Sequence, residues 1–79
     1  MYLLLLQNKS MSRLVKLGQN IKYYRKQKNL SQNEFAEMIN FSREHLACIE
    51  TGKEFVSLRK LFLIADTLGI SLKSLIDFD

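Results

Sequence analysis

Apolar residues recur along this chain at the three- and four-residue spacing of amphipathic α-helices. One such stripe consists of Leu14, Leu17, Ile21 and Tyr24. The stripe predicts a first helix from about Ser12 to Gln27. Lysine and arginine crowd its last turns, where they suit the negative end of the helix dipole. Asn29 follows at a position where a left-handed residue would end the helix.

The segment from Leu30 to Gly52, LSQNEFAEMINFSREHLACIETG, predicts two short helices joined by a tight turn. Ser31 caps the first helix, and Glu34 three residues later completes a capping box with it. Ser42 caps the second helix, and Asn40 lies in the turn between them, where asparagine tolerates a positive φ. This order of elements is typical of a helix-turn-helix, whose second helix lies in the major groove of DNA.

Two more helices follow the motif. The fourth helix begins near Ser57 and ends at Gly69, and its broad apolar face consists of Leu58, Leu61, Phe62, Ile64, Ala65 and Leu68. The fifth helix begins at Ser71 and carries Leu72, Leu75, Ile76 and Phe78. The chain has no proline, and two of its three glycines fall at predicted helix ends. We therefore predict an all-α fold of five helices.

The length of 79 residues corresponds to one domain, which we place at residues 12–79. Twelve Lys and Arg against eight Asp and Glu give a net charge of +4, which is compatible with a nucleic-acid partner. The single cysteine, Cys48, excludes an internal disulfide and a multi-cysteine zinc site. We expect no bound metal, no cofactor and a reducing, cytoplasmic location.

Residues 1–11 lie outside this domain and carry the apolar run Leu3 to Leu6. The run is far too short to span a membrane, and no basic residue precedes it as in a signal peptide. Three interpretations are open. The segment is an arm or strand that packs on a partner subunit, a first turn of helix, or an upstream extension, since Met11 can serve as a natural start. We favour the arm, because an exposed apolar run favours burial.

The outer face of the motif's second helix carries the candidates for reading DNA bases, which are Arg43, Glu44, Ala47 and Cys48. Arginine can make two hydrogen bonds to guanine, glutamate can accept one from cytosine, and small apolar groups can pack on the thymine methyl. The candidates for phosphate contact are Gln32, Ser42, His45, Thr51, Lys53 and Arg59. For each of the phosphate candidates, a solvent-exposed cap or surface charge is an equally good interpretation.

Glu50 follows an inward-facing residue and faces back toward the core, where Arg25 can pair with it. Such a buried pair would fix the geometry of the helices rather than read DNA. His45 and Cys48 share a helix face, but without further ligands they make a poor zinc site, and no third group orients them for catalysis. No paired carboxylates or phosphate-cradling glycine loop occurs, so we do not expect an enzyme.

A combined pattern covers Gly18 to Ile76, about three quarters of the chain. It consists of Leu30-Ser31-Gln32, Phe35-Ala36, Phe41-Ser42, Leu46, Ile49-Glu50-Thr51-Gly52-Lys53, Ser57-Leu58, Ile64-Ala65 and Leu68-Gly69-Ile70-Ser71-Leu72. This pattern resembles the Xre or Cro/phage-repressor class of helix-turn-helix regulators.

The resemblance implies a compact, five-helix, lambda-repressor-like domain that binds operator DNA, often as a homodimer. It implies that Gln32 anchors phosphate, that Arg43, Glu44 and Cys48 face the bases, and that Arg25 and Glu50 form the ion pair of the class. The chain departs from the pattern at three positions. Asn40 replaces a turn glycine, Val56 replaces a loop proline, and Cys48 replaces a frequent glutamine, so the base preference of the class does not transfer.

We therefore expect a sequence-specific, double-stranded DNA-binding transcriptional regulator, of bacterial or phage origin, that acts as a repressor. A homodimer would bind a pseudo-palindromic operator with residues 42–51 in the major groove. The candidates for the dimer interface are Leu3, Leu5, Leu72, Leu75 and Phe78. We expect no membrane and no small-molecule substrate. The alternative is an antitoxin-like or other protein-interaction module, whose partner would be a protein.

Overall fold

Five α-helices make up the fold of the computed structural model, which describes residues 2–78, with the side chains of residues 12–78. The helices are α1 (Tyr2–Gln27), α2 (Gln32–Met38), α3 (Arg43–Glu50), α4 (Leu58–Leu68) and α5 (Leu72–Ile76). Residues 2–78 contain no β-strand. The predicted all-α fold with five helices is confirmed. None of the described helices is long and apolar enough to cross a membrane.

The first helix is longer than the sequence pattern predicted. Its backbone is helical from Tyr2, ten residues before the predicted start at Ser12, so the interpretation of the N-terminal segment as a strand is wrong. Leucine, glutamine, lysine and methionine dominate this segment and all have good helix propensity, so nothing in it ends a helix. The side chains of Leu3 and Leu5, two interface candidates, lie outside the described residues.

Serine caps begin the four shorter helices. Ser31, Ser42, Ser57 and Ser71 all have extended backbone, and each hydroxyl accepts from the amide three residues later. At α2 the capping box is complete, because the Ser31 amide donates to Glu34 Oε1 at 2.9 Å. This backbone hydrogen bond, with one to the Ser31 hydroxyl, holds the pKa of Glu34 below its ordinary value. The capping box is thus strongest with Glu34 ionised.

Two asparagines with a left-handed backbone conformation lie in the turns that follow α1 and α2. Asn29 and Asn40 have φ of 58° and 59°. Asparagine adopts this conformation more readily than other non-glycine residues, and at Asn40 it sets the sharp turn between α2 and α3. The predicted roles of both asparagines are confirmed.

Every helix contributes to one hydrophobic core. The fully buried large side chains are Ile21 from α1, Phe35 from α2, Leu46 and Ile49 from α3, Ile64 and Leu68 from α4, and Leu75 from α5. The α1 helix packs closely on α3 at Gly18, where an added Cβ would collide with the carbonyl oxygens of Ile49 and Glu50. A glycine is needed at this contact, because any side chain there would keep the backbones of α1 and α3 apart.

One prediction about the last helix is wrong. Leu75, expected at a dimer interface, is fully buried in the core of its own chain, because α5 packs against α1 and α4. Leu72 and Phe78 are partly buried against the same core, and α5 ends at Ile76, before Phe78. On α4, Leu61, Ile64, Ala65 and Leu68 of the predicted apolar face are buried, whereas Leu58 and Phe62 are exposed.

Candidate nucleic-acid interface

A buried ion pair links α1 to the last residue of α3. Arg25 Nε donates to Glu50 Oε2 at 2.7 Å, and Arg25 Nη2 donates to Glu50 Oε1 at 3.1 Å. Both residues are only 4% exposed. The remaining guanidinium nitrogen, Nη1, donates to the carbonyl oxygen of Leu30 at 2.6 Å. The predicted pair is present, and its arginine also fixes the loop that leads into α2.

Gln32, the first residue of α2, completes this cluster. Its Nε2 donates to Glu50 Oε1 at 3.0 Å, so the carboxylate receives hydrogen bonds from both α1 and α2. Within residues 12–78, no buried side-chain nitrogen or oxygen is left without a partner. Buried charges need this degree of satisfaction, because otherwise their desolvation outweighs their attraction. We call Arg25, Gln32 and Glu50 the polar cluster.

The sequence did not reveal that Gln32 belongs to the polar cluster. We expected its side chain to bind phosphate, and the structure places one of its amide hydrogens on Glu50 instead. The second amide hydrogen is left for another acceptor. A phosphate contact by Gln32 therefore stays a prediction, with the geometry of its side chain already set by Glu50.

The α3 helix turns a polar face away from the core. Arg43 and Glu44 are exposed in its first turn, and Ala47 and Cys48 are half-buried one turn later. Residues four apart lie one above the other on a helix, so these four side chains form a single surface. On the opposite side, Leu46, Ile49 and Glu50 are buried. We call Arg43, Glu44, Ala47 and Cys48 the outer face of α3.

His45, which we expected to bind phosphate, uses both of its ring nitrogens in contacts within its own chain. Its Nδ1 lies 2.8 Å from Glu54 Oε2, and its Nε2 lies 3.1 Å from Lys60 Nζ. Because a lysine can only donate, Nε2 must accept and Nδ1 must carry the proton that goes to Glu54. A phosphate contact by His45 would require one of these bonds to break. The histidine thus joins α3 to the following loop and to the first turn of α4.

The other phosphate candidates differ in whether their hydrogen-bond donors are already used within the chain. The Thr51 hydroxyl donates to the carbonyl oxygen of Ala47 at 2.8 Å, so its proton is used within α3. The Ser42 hydroxyl accepts from the His45 amide, which leaves its own proton available. Lys53 and Arg59 are exposed, and neither forms an ion pair with another residue of the described 12–78 segment. These two cations and Ser42 are therefore the better donors for phosphate.

No metal centre accompanies this surface in the part of the chain that the structure describes. The residues there include no group of three or more His, Cys, Asp or Glu side chains that could hold a metal ion. Cys48 is a free thiol beside the other residues of the outer face of α3.

Comparison with known proteins agrees with this geometry. The family model described as "Helix-turn-helix" matches residues 21–75. The control protein C.MunI of Mycoplasma sp is 42% identical over 62 residues, which are 77% of this chain and 84% of that protein. The immunity repressor protein of Bacillus phage phi105 is 40% identical over 60 residues, which are 76% of this chain. The match spans only 42% of the repressor's own length.

Solved structures share the arrangement of helices. The restriction-modification controller protein C.AhdI from Aeromonas hydrophila superposes with a TM-score of 0.77 at 33% sequence identity. The superposition covers 81% of this chain and 97% of that protein. The helix-turn-helix and the helices that support it are thus shared along nearly the whole of the controller.

Truncation of Arg25 tests the polar cluster. Arg25→Ala leaves the Glu50 carboxylate buried without its ion-pair partner, so we expect the free energy of unfolding to fall by about 3–5 kcal/mol. Urea denaturation followed by circular dichroism measures this change. The control is Lys26→Ala, an exposed position next to it on α1, where we expect a change within about 0.5 kcal/mol. Equal effects of the two substitutions would contradict a structural role for the pair.

Proposed function

The chain belongs to the helix-turn-helix family of DNA-binding transcriptional regulators, and we propose that it acts as a repressor that reads a pseudo-palindromic operator as a homodimer. The outer face of α3 is the observation that carries this proposal. It is a short polar surface on a helix whose opposite side is fixed in the core by Leu46 and Ile49. A helix presented in this way can enter the major groove without losing its place in the fold.

Each residue of the outer face has a chemical role in this proposal. Arg43 reads guanine through its O6 and N7 atoms, and Glu44 accepts from the amino group of cytosine. Ala47 and Cys48, one turn further along, pack against a thymine methyl group. Around this surface, Lys53 and Ser42 bind phosphate oxygens and set the position of α3 on the duplex.

The names of the similar proteins support a regulatory role. One is an immunity repressor of a bacteriophage, and two are control proteins, one of which is described as a restriction-modification controller. The family is one of transcriptional regulators rather than of enzymes. We propose that the protein represses transcription by acting on DNA in the cytoplasm of a bacterial host. The antitoxin-like alternative uses the same fold with a protein as its main partner.

Selection of bound sequences from random duplex DNA tests the proposed function. We expect the protein to enrich a pseudo-palindrome whose half-sites lie about 34 Å apart, one helical turn, because two α3 helices must enter successive major grooves. The selection should run at about 150 mM salt, where electrostatic binding to any sequence is weakened. Recovery of unrelated sequences only, with weak and salt-sensitive binding, would contradict the proposal and favour the protein-interaction alternative.

Two alanine substitutions separate base reading from phosphate binding. Arg43→Ala should weaken binding to the selected operator by about 1–3 kcal/mol and relax the preference at one base pair in each half-site. Lys53→Ala should weaken binding to operator and random duplex alike. The slope of log affinity against log salt concentration should become shallower by about one unit, because one phosphate contact is lost. Fluorescence anisotropy titrations over a range of salt concentrations measure both effects.

The matched control is Lys73→Ala, which removes an exposed positive charge from α5 and should change neither affinity nor preference. If Arg43→Ala kept the full sequence preference of the wild type, α3 would not be docked as we propose.

A further inference from the structure

One face of α4 is exposed along most of the helix. Its residues are Leu58, Arg59, Phe62, Leu63 and Asp66, all of which are exposed. At 3.6 residues per turn they occupy an arc of about 140° around the helix axis. The opposite side of α4 is buried in the core through Leu61, Ile64, Ala65 and Leu68. We call the five exposed residues the α4 face.

The α4 face is unusually apolar for a surface. Leu58, Phe62 and Leu63 are 58%, 49% and 41% exposed. Phe55, which is 81% exposed, lies three residues before Leu58 in the loop that leads into α4. A cluster of large exposed apolar side chains is typical of an interaction site. On α5, Leu75 is buried in the core and Ile76, at 46% exposed, is the one large apolar side chain that is exposed among the residues of this described helix, so α5 offers a smaller apolar surface.

The charges on the α4 face complement a second copy of the same face. Arg59 and Asp66 are two helical turns apart, about 10 Å along the axis, and the midpoint between them falls between Phe62 and Leu63. Two α4 helices packed antiparallel about a two-fold axis at that midpoint would place Arg59 beside the partner's Asp66. The same operation would bring Phe62 and Leu63 of both chains together at the centre.

Both charged groups are available for such pairing. Among the residues whose side chains the structure describes, neither Arg59 nor Asp66 forms a salt bridge or a side-chain hydrogen bond. A two-fold symmetric contact forms two Arg59–Asp66 ion pairs, one on each side of the axis. It also buries the apolar residues that lie between the two pairs. This self-complementarity in charge and in apolar surface favours a second copy of the chain over an unrelated partner.

We propose that the α4 face is the two-fold interface on which a second copy of this chain docks. The inference rests on the proposed homodimer and identifies its surface. Arg59 then pairs across the interface and does not bind phosphate. Lys60, which contacts His45 of α3, lies about 130° around α4 from the middle of the face. A second copy docked on the α4 face therefore leaves the α3 side of the domain uncovered.

The size of the α4 face sets the strength of the dimer. A standard stable interface buries about 800 Å² on each partner, and one exposed helix face with a neighbouring loop residue supplies less. We therefore expect a dimer that dissociates on dilution and that a two-half-site operator stabilises by binding both copies at once.

Charge reversal tests the pairing without touching the core. Arg59→Asp and Asp66→Arg each place like charges opposite one another, and each should raise the dimer dissociation constant at least about ten-fold. The double variant Arg59→Asp/Asp66→Arg restores opposite charges and should return the constant to within about three-fold of wild type. Sedimentation equilibrium of the full chain without DNA measures these constants, and circular dichroism verifies that each variant is folded.

The control for charge is Lys22→Asp, which reverses an exposed charge on α1 and should leave dimerisation unchanged. The α4 interface would be overturned if the single reversals left the dimer dissociation constant unchanged. It would also be overturned if the double variant dimerised more weakly than either single variant. A wild-type protein that is monomeric at every concentration would overturn it as well and would leave the apolar face to a different protein.

Cross-linking gives a second readout, because the centre of the face lies next to the two-fold axis. Cys48 is the single cysteine, so Cys48→Ser provides a background without thiols. Phe62→Cys in this background should form a disulfide-linked dimer under mild oxidation, whereas Lys22→Cys should not. A cross-linked yield equal to that of the control would contradict the interface.

The failure of this inference differs from the failure of the proposed function. If the wild type is a dimer and selects a pseudo-palindrome but ignores every α4 substitution, the function stands and the interface is wrong. If no sequence is selected from random DNA, the proposed function itself is wrong, whatever the state of association.

Discussion

The buried ion pair between Arg25 and Glu50 is the interaction on which the position of the outer face of α3 depends. Glu50 is the last residue of α3, Arg25 belongs to α1, and Gln32 begins α2, so one carboxylate holds three helices together. The pair is not primarily a source of stability, since desolvation offsets much of its attraction. Its directional hydrogen bonds instead specify one arrangement of α2 and α3.

Apolar contacts and a second set of polar contacts also hold α3 in position. Leu46 and Ile49 bury one side of α3, and the absence of a side chain at Gly18 lets α1 approach the backbone at the end of α3. His45 ties the first turn of α3 to the loop and to α4 through Glu54 and Lys60. With both ends of α3 fixed, only Arg43, Glu44, Ala47 and Cys48 are left to face outward.

Much of this arrangement could be predicted because its signals are local. A serine followed by glutamate three residues later defines the start of α2, and asparagine at a helix end defines the turns. The ion pair could be predicted because a charged residue at Glu50 falls on the buried side of α3. The partners of Gln32 and His45 could not, because they come from other helices and loops whose positions only tertiary packing determines.

The same limit explains why the sequence pattern does not separate the buried from the exposed apolar residues of α4 and α5. A helix with more apolar residues than it can bury must expose some of them, and the sequence pattern does not show which flank meets the core. On α4 the exposed flank is the one with Leu58 and Phe62, and on α5 the buried residue is Leu75. The length of α1 was missed because apolar periodicity is weak before Ser12, although every residue there is compatible with a helix.

The most direct test of the claim that the ion pair positions α3 is its replacement by apolar residues. The double variant Arg25→Met/Glu50→Met removes both charges at once, so its free energy of unfolding should stay within about 2 kcal/mol of wild type. The decisive measurement is the ratio of its affinities for the selected operator and for random duplex. We predict that this ratio falls at least about ten-fold in the folded protein. Such a fall corresponds to a loss of about 1.4 kcal/mol of operator-specific binding free energy when α3 is no longer held in position. A folded double variant with the wild-type ratio would contradict the claim and show that apolar packing alone sets the position of α3.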